Sequence, residues 1–331
     1  MFVCEKLGRF GADFHAARLQ PEVLHHARRA LVDWYGALLA GYAMEPTPML
    51  EKALAPELDQ GKARLPLGRR AAVRAAALIN GTASHTAEVD DIYREAIYHP
   101  GAPTFSAALA LGQAVGASGL EFLKAAIAGY ETSTRIGRTL GRAHYRHWHN
   151  TGTVGSFGAA TAAAYLLGLD APQTAHALGL SATFAAGLQQ AFKLESLAKP
   201  LHAGRAAEAG VTAALLAQQG VTASLDVFEG AAGMGLAMSD GPDWGAAFAD
   251  LGQAFNITAM TFKNHACCGH TAGAQALEQG DPPLQGLRLR RAVGVRLGRI
   301  CVELAHVHSC GGGQKIRRDT LGLQICTIFC L

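Results

Sequence analysis

The sequence predicts a mainly α-helical protein, with a large all-helical bundle domain over residues 1–258 and the start of a smaller α+β lid domain over residues 259–331. Two observations predict the bundle. Up to about residue 258, apolar residues recur at helical spacing in one segment after another, and the segments are rich in Ala and separated by short Gly breaks. A change of pattern after Asn256 predicts the second domain.

The helical domain is predicted element by element. In the first helix, residues 21–41, an apolar stripe that includes Leu31 and Leu38 recurs at helical spacing. Pro21 suits the first turn of this helix and Gly41 its C-terminal cap. Further helices are predicted over residues 71–79, 104–115, 120–140, 155–167, 172–188 and 205–219. Because small side chains allow backbones to approach closely, these Ala-rich helices predict tight helix–helix packing.

Beyond Asn256 the pattern changes to short segments. Strands are predicted over residues 257–262, 292–297 and 302–307, and a helix over residues 271–279. These elements are the expected start of an α+β lid domain. From Cys310 onward the sequence has neither clear amphipathicity nor an obvious end. We interpret this part as the product of a truncated or frameshifted reading frame.

Composition and charge exclude several classes of function. The 331 residues carry a net charge of +3 without a basic tract before the C-terminal end, so no nucleic-acid partner is expected. Residues 1–20 lack the pattern of a secretion signal, and residues 154–169 are too short and too weakly apolar to span a bilayer. Seven cysteines without regular spacing argue against a secreted disulfide framework. The expected location is the cytoplasm, without membrane attachment.

Four polar clusters stand out in this mostly apolar sequence. They are Glu88-Val-Asp90-Asp91 with His99, His147-Trp-His149-Asn, Lys199 to Arg205, and Lys263 to His270. Their acids, imidazoles and cations are the groups with which proteins handle a carboxylate substrate. Lys199, His202 and Arg205 recur at i, i+3 and i+6, and a helix would place the first two on one face.

The first two clusters each have two interpretations. The acids of residues 88–91 are either charges in the first turn of a helix or carboxylates that orient a basic His99. The segment that begins at His149 is either a polar loop with a helix cap at Thr151 or Thr153, or an anion site at a helix start.

The other two clusters also have alternatives. Lys199 either covers apolar surface with its stem or binds a carboxylate together with His202 and Arg205. The segment from Lys263 to His270 contains the residue types that bind zinc. Adjacent cysteines rarely satisfy one tetrahedral ion, however, so no metal site is predicted. Lys263 is expected to face an anionic substrate instead.

Taken in order, these motifs resemble the MmgE/PrpD family, which includes 2-methylcitrate dehydratase and cis-aconitate decarboxylase. The matching segments are Pro21-Glu-Val-Leu, Leu31-Val-Asp-Trp-Tyr-Gly36, Glu88-Val-Asp-Asp-Ile, His99-Pro-Gly, His149-Asn-Thr-Gly-Thr-Val-Gly-Ser-Phe-Gly158, Lys199-Pro-Leu-His-Ala-Gly-Arg205 and Lys263 to His270. The resemblance covers about residues 15–280, and motifs in register over that length are specific at the level of the family.

The resemblance implies an all-helical domain, an α+β lid with the active site between them, and a homodimer. It implies lyase or isomerase chemistry on small di- or tricarboxylates that needs no cofactor and no metal. Together with the polar clusters, it predicts the catalytic residues His99, His149, Asp90, Asp91 and Lys199. The predicted substrate-binding residues are Glu88, Lys199, His202, Arg205, Lys263, Cys268 and His270.

The predicted reaction is dehydration of a 2-hydroxy polycarboxylate. Removing a proton alpha to a carboxylate requires cations and imidazoles that neutralise the nearby negative charge. His99 or His149 is the predicted acid–base residue, and Lys199 and Lys263 are predicted to hold the carboxylates. Epimerisation or decarboxylation would use much the same groups, and the sequence leaves that choice open. A non-catalytic helical scaffold is the alternative from another class.

Overall fold

The computed structural model describes residues 1–263, all of which lie in one compact unit. The helices are α1 (Val3–Asp13), α2 (Pro21–Tyr42), α3 (Thr47–Ala53), α4 (Val73–Thr86), α5 (Gly101–Val115), α6 (Gly119–Tyr145), α7 (Asn150–Thr153), α8 (Gly155–Leu166), α9 (Ala171–Phe184), α10 (Ala198–Gln218) and α11 (Met234–Met238). The prediction of a mainly helical protein is confirmed.

Helix α10 lies at the centre of the bundle and packs against α4, α5, α8 and α9. Glycines allow α4 and α10 to touch through their backbones. A Cβ atom at Gly204 would lie 2.2 Å from the Leu78 carbonyl oxygen, and one at Gly81 would lie 2.7 Å from the Gly204 Cα. Neither position therefore has room for a larger residue. The close crossing brings the end of α4 beside the beginning of α10, and this meeting point carries the site described below.

Two local predictions in the helical region need correction. Gly41 was expected to cap its helix, but α2 continues to Tyr42. A Cβ atom at Gly41 would lie 2.0 Å from the Ala83 carbonyl oxygen, so this glycine serves helix packing. The chain also forms an unpredicted hairpin of β1 (Leu58–Arg64) and β2 (Arg70–Ala71). Its register shifts between residues 58 and 63, which removes the alternating pattern that identifies a strand in a sequence.

The strand predicted over residues 257–262 forms only in part. Residues Asn256–Ala259 make a 3-10 turn. Beyond it, Thr261 and Ile92 exchange two backbone hydrogen bonds, at 2.9 and 3.0 Å. This bridge brings Lys263 beside the acidic segment. The rest of the predicted lid, with Cys268 and His270, lies outside the described residues, so the domain division stays a prediction. None of the helices in residues 1–263 is both long and apolar enough to cross a membrane.

Candidate active site

The acidic segment of residues 88–91 follows the end of α4 and does not begin a helix. The interpretation of these acids as charges in a first helical turn is therefore wrong. Glu88 turns the chain with a left-handed φ of 57°, and after the half-buried Val89 the chain enters the interior, where Asp90 and Asp91 are fully buried. Four other parts of the chain meet the segment: the end of α4, the loop before α5, the start of α10 and Lys263.

Asp90 is the centre of a buried group that we call the Asp90 cluster: His85, Asp90, His99 and Lys263. The His85 Nδ1 lies 2.7 Å from Asp90 Oδ2, and the Lys263 Nζ donates to Oδ1 at 3.3 Å. The His99 Nδ1 lies 3.5 Å from Oδ2. Burial opposes ionisation of Asp90, but His85, Lys263 and His99 together hold its pKa well below the usual range. Asp90 is thus a buried carboxylate at neutral pH.

His99 is held as a neutral imidazole in one tautomer. Its Nδ1 lies 2.7 Å from the Asp91 carbonyl oxygen, and because a carbonyl only accepts, Nδ1 carries the proton and donates it. The Nε2 atom then keeps a lone pair. Burial lowers the pKa of His99 well below its ordinary value, and Lys263 and His85 add to this effect against the pull of Asp90. His99 is therefore unprotonated at neutral pH and able to accept a proton.

Asp91 faces away from this cluster, unlike its neighbour in sequence. Its Oδ2 accepts from the Tyr130 hydroxyl at 2.9 Å, and its Oδ1 accepts from the Gly101 N–H at 3.0 Å. Burial and the charge of Asp90 raise the pKa of Asp91 to about 7. Of the two predicted catalytic acids, only Asp90 presents its carboxylate to the cluster. Asp91 contributes its backbone carbonyl, which orients His99.

Lys199 and Glu88 form an ion pair at the mouth of the site. The Lys199 Nζ donates to Glu88 Oε1, and it also lies 5.3 Å from the centre of the Phe192 ring, a cation–π distance. Both charged side chains are partly exposed, 20% for Lys199 and 24% for Glu88. The Lys263 Nζ donates to the Glu88 carbonyl oxygen at 2.9 Å. Both predicted lysines therefore reach the acidic segment.

His149 and His202 face one another on the other side of the site. Their Nδ1 atoms lie 3.0 Å apart, so one ring donates a proton to the other. The His149 ring also stacks on His85, with centres 5.5 Å apart. Burial lowers the pKa of His149 well below its ordinary value and that of His202 to about 4, so both rings are neutral at pH 7. His202 also lines an open surface depression, together with Gly187, Ala191 and Arg205.

The interpretation of Thr151 or Thr153 as a helix cap is wrong. Helix α7 begins at Asn150, and no side chain caps it. The Thr153 hydroxyl lies 2.7 Å from His144 Nε2, and the Thr151 hydroxyl accepts from the His99 N–H at 3.4 Å. Both hydroxyl groups therefore tie neighbouring segments together.

Arg205 is the most exposed of the predicted binding residues that lie within residues 1–263. Its guanidinium contacts Glu208 one turn further along α10, and 59% of its side chain is exposed. The structure confirms that residues 199–205 are helical, with Lys199 and His202 directed at the site. Arg205 lies at the rim, on the far side of His202.

The Asp90 cluster offers three atoms of metal-binding type. Ligand atoms of His85, Asp90 and His99 lie within 4.8 Å of one another. The Lys263 ammonium, however, already donates a hydrogen bond to Asp90 Oδ1, and the His99 Nδ1 donates one to the Asp91 carbonyl oxygen. A cation here would meet the like charge of Lys263, and coordination through Nδ1 of His85 or His99 would break the hydrogen bond that each of these atoms donates. These residues therefore do not fit a resident divalent ion.

A family model described as the MmgE/PrpD N-terminal domain matches residues 5–247. The chain belongs to the MmgE/PrpD family. It is 30% identical over 301 residues to the cis-aconitate decarboxylase-like protein oryM of Aspergillus oryzae, which covers 84% of this chain and 61% of that protein.

Two further relatives are shorter matches. The cis-aconitate decarboxylase of Homo sapiens is 34% identical over 165 residues, 48% of this chain and 34% of that protein. The cis-aconitate decarboxylase of Aspergillus terreus is 30% identical over 226 residues, 64% of this chain and 46% of that protein. The chain thus spans from about a third to about three fifths of the length of the curated relatives it matches.

Sequence reasoning missed three side chains of this family member's site. His85 lies five residues before Asp90, on the last turn of α4, and only its proximity to the acidic segment hints at a role. Tyr130 comes from the middle of α6 and Phe192 from a 3-10 turn after α9. No spacing rule connects these distant segments with residues 88–91.

Proposed function

We propose that this family member is a lyase that forms a carbanion-like state next to a carboxylate of a small di- or tricarboxylate, without a cofactor. The observation that supports the proposal is that neutral imidazole rings and ammonium groups lie close together around the acidic segment of residues 88–91. Burial lowers the pKa of both His99 and His149 well below the ordinary value, and Lys199 and Lys263 reach the same acidic segment. A neutral imidazole accepts a proton at pH 7, and nearby ammonium groups stabilise the developing negative charge.

The residues divide into two roles. His99 presents an Nε2 lone pair, which suits it to accept a proton. In the His149–His202 pair one ring donates to the other, so the pair also offers one protonated and one unprotonated outer nitrogen. Lys199 is engaged with Glu88, so a substrate carboxylate binds it by sharing or displacing the Glu88 carboxylate.

Decarboxylation of an unsaturated tricarboxylate of the cis-aconitate type is the first reaction to test, because the relatives reported above carry names for it. In that reaction a C–C bond breaks, the carboxylate leaves as CO2, and the electron pair moves into the adjacent unsaturated acid. The carbon is then protonated by the outer N–H of the His149–His202 pair, while the other outer nitrogen of the pair takes up a proton from solvent, so the pair returns to its neutral state. Dehydration of a 2-hydroxy polycarboxylate, the reaction predicted from the sequence, uses the same cations but requires a base for the alpha proton and an acid for the leaving hydroxyl.

The experiment is an NMR assay of the purified chain in D2O with EDTA. The substrates are cis-aconitate, 2-methylcitrate, citrate and tartrate. Loss of cis-aconitate with one deuterium in the product identifies decarboxylation, and a new alkene from a hydroxy acid identifies dehydration. A folded chain that changes none of the four contradicts the proposal and favours the non-catalytic scaffold. The homodimer and the cytoplasmic location stay predictions, which size-exclusion chromatography and fluorescence microscopy test.

A further inference from the structure

His85 differs from the other fully buried histidine of the helical core. His144 uses both ring nitrogens: Nδ1 contacts the Met238 carbonyl oxygen at 2.9 Å and Nε2 contacts the Thr153 hydroxyl at 2.7 Å. His85 is equally buried, but within residues 1–263 its Nε2 has no hydrogen-bond partner. A buried polar atom without a partner costs about 1–3 kcal/mol of stability. His85 carries this cost and His144 does not.

The single hydrogen bond of His85 is made to the most connected carboxylate of the site. Its Nδ1 lies 2.7 Å from Asp90 Oδ2, and because a carboxylate only accepts, Nδ1 is the donor. The His99 Nδ1 lies 3.5 Å from the same oxygen, beyond a good hydrogen bond. His99 instead donates to the Asp91 carbonyl at 2.7 Å. Two imidazole rings therefore face Asp90 Oδ2, and only His85 makes a hydrogen bond to it.

We propose that His85 is a positioning residue: by occupying Asp90 Oδ2, it keeps His99 on the Asp91 carbonyl, as a neutral imidazole whose Nε2 is free to take a proton. This inference rests on the proposed function, because it assigns His99 the proton transfer. Without the His85 donor, the Asp90 carboxylate has an unused lone pair 3.5 Å from His99. His99 then forms a direct ion pair with Asp90, which favours its protonated form.

Several charged and titratable groups face the His85 and His99 rings. Those that act on His99 are Asp90, Lys263, His85 and Lys199, and the His149 ring stacks on His85. Both lysines disfavour protonation of His99, and Asp90 alone favours it. Which ring the Asp90 carboxylate contacts therefore decides whether His99 is a base or a cation.

The test uses three substitutions in the full chain. In His85→Asn the amide N–H lies where Nδ1–H lies now, so the bond to Asp90 is retained. His85→Gln carries its amide further out, at the Nε2 position, and His85→Leu has no donor. Ring nitrogens are labelled with 15N, and the His99 signals are assigned with a His99→Gln variant. The titration of His99 is followed from pH 4 to pH 9 without substrate, and circular dichroism verifies the fold.

We expect wild type and His85→Asn to show a neutral Nδ1–H tautomer at His99 with the same midpoint. In His85→Gln and His85→Leu the midpoint rises by about one pH unit or more, which lowers kcat/KM at acidic pH about tenfold. An unchanged His99 midpoint in the folded Gln variant overturns the proposal. If no carboxylate is consumed but the midpoint still follows the substitution, the proposed function fails while the positioning by His85 holds.

Discussion

Two buried charged clusters within residues 1–263 differ in how fully their polar atoms are satisfied. The first, which we call the Arg135 cluster, consists of Glu131, Arg135, Asp250 and Asn256. Each N–H of the Arg135 guanidinium has an acceptor: Glu131 Oε1, Asp250 Oδ1, and the carbonyl oxygens of Ala247, Ala249 and Ala254. The other oxygen of Glu131 accepts from the Asn256 N–H at 2.8 Å. The guanidinium therefore has no N–H left for a ligand, and both oxygens of the buried Glu131 carboxylate are used.

The Asp90 cluster is different. It contains four ionisable groups against three in the Arg135 cluster, but the His85 Nε2 is buried without a partner among the described residues, and the His99 Nε2 keeps its lone pair. The nearby Glu88 Oε2 is also buried without a partner in the described part of the chain. A buried charge is stable only when its hydrogen bonds are complete, so an incomplete cluster gives up stability. The Arg135 cluster therefore stabilises the fold, whereas the Asp90 cluster leaves ring nitrogens of His85 and His99 able to contact a substrate.

The largest expected effect is on activity in the Asp90 cluster. His99→Gln removes the proposed base, so kcat should fall about 10²- to 10⁴-fold, while the free energy of unfolding changes by no more than about 1 kcal/mol. Steady-state kinetics and urea unfolding measure the two quantities. His147→Gln, at an exposed position, is the control and should keep wild-type kinetics. A His99→Gln enzyme with full kcat would break the comparison.

The Arg135 cluster should respond in the opposite way. Arg135→Met leaves the buried Glu131 carboxylate without its cation, so the free energy of unfolding should fall by about 3–5 kcal/mol. The protein that remains folded should keep its kcat. Arg138→Met, one turn along α6, is the control: its pair with Glu95 is partly exposed at 3.6 Å, and its loss should cost no more than about 1 kcal/mol. Equal losses from both variants would contradict the contrast.

Ionisation of Asp91 should make the free energy of unfolding depend on pH. Its pKa of about 7 in the folded chain exceeds its ordinary value of 3.8, so the folded state binds the extra proton between these values. This contribution to stability is complete below pH 4 and is lost as the pH rises to about 7, by roughly 2–4 kcal/mol. Asp91→Asn, which has no proton to lose, should lack this slope in urea unfolding at pH 4 to 8. Parallel curves for the two proteins would disprove the assignment.

Loss of the Lys199 cation should weaken substrate binding, with a smaller effect than the loss of kcat expected for His99→Gln. Lys199→Ala should raise KM about 10- to 100-fold, because the mouth of the site loses a cation for the substrate carboxylate. Lys193→Ala removes an exposed lysine from the preceding loop and should leave KM unchanged. The same KM in both variants would remove Lys199 from the binding role.

The smallest effect is expected at the rim. Arg205 is mostly exposed and contacts Glu208, so Arg205→Ala should raise KM by no more than about fivefold and leave kcat unchanged. Glu208→Gln frees the guanidinium and serves as the matched variant. If Arg205→Ala instead abolishes binding in a substrate titration, Arg205 is a main substrate-binding residue and not a peripheral one.

Much of the fold was predictable because helical periodicity is local. Apolar spacing predicted α2, α5, α6 and α8 within a few residues of their bounds, and the Ala-rich helices predicted close helix–helix packing, of which the α4–α10 crossing is an example. The hairpin β1–β2 was missed, because its bulged register leaves no alternation to recognise.

From the sequence alone, His99 and His149 could be predicted as acid–base residues and Lys199 and Lys263 as cations for a carboxylate, because each lies in one of the polar motifs. Their partners and protonation states follow from tertiary contacts that the sequence does not show. The turn at Glu88 sends Asp90 and Asp91 in different directions, and the α4–α10 crossing brings His85 to Asp90. The physical reason is that spacing along a chain sets which face of one helix a residue occupies. Which of two neighbouring carboxylates meets a given imidazole depends on contacts between segments that are remote in sequence.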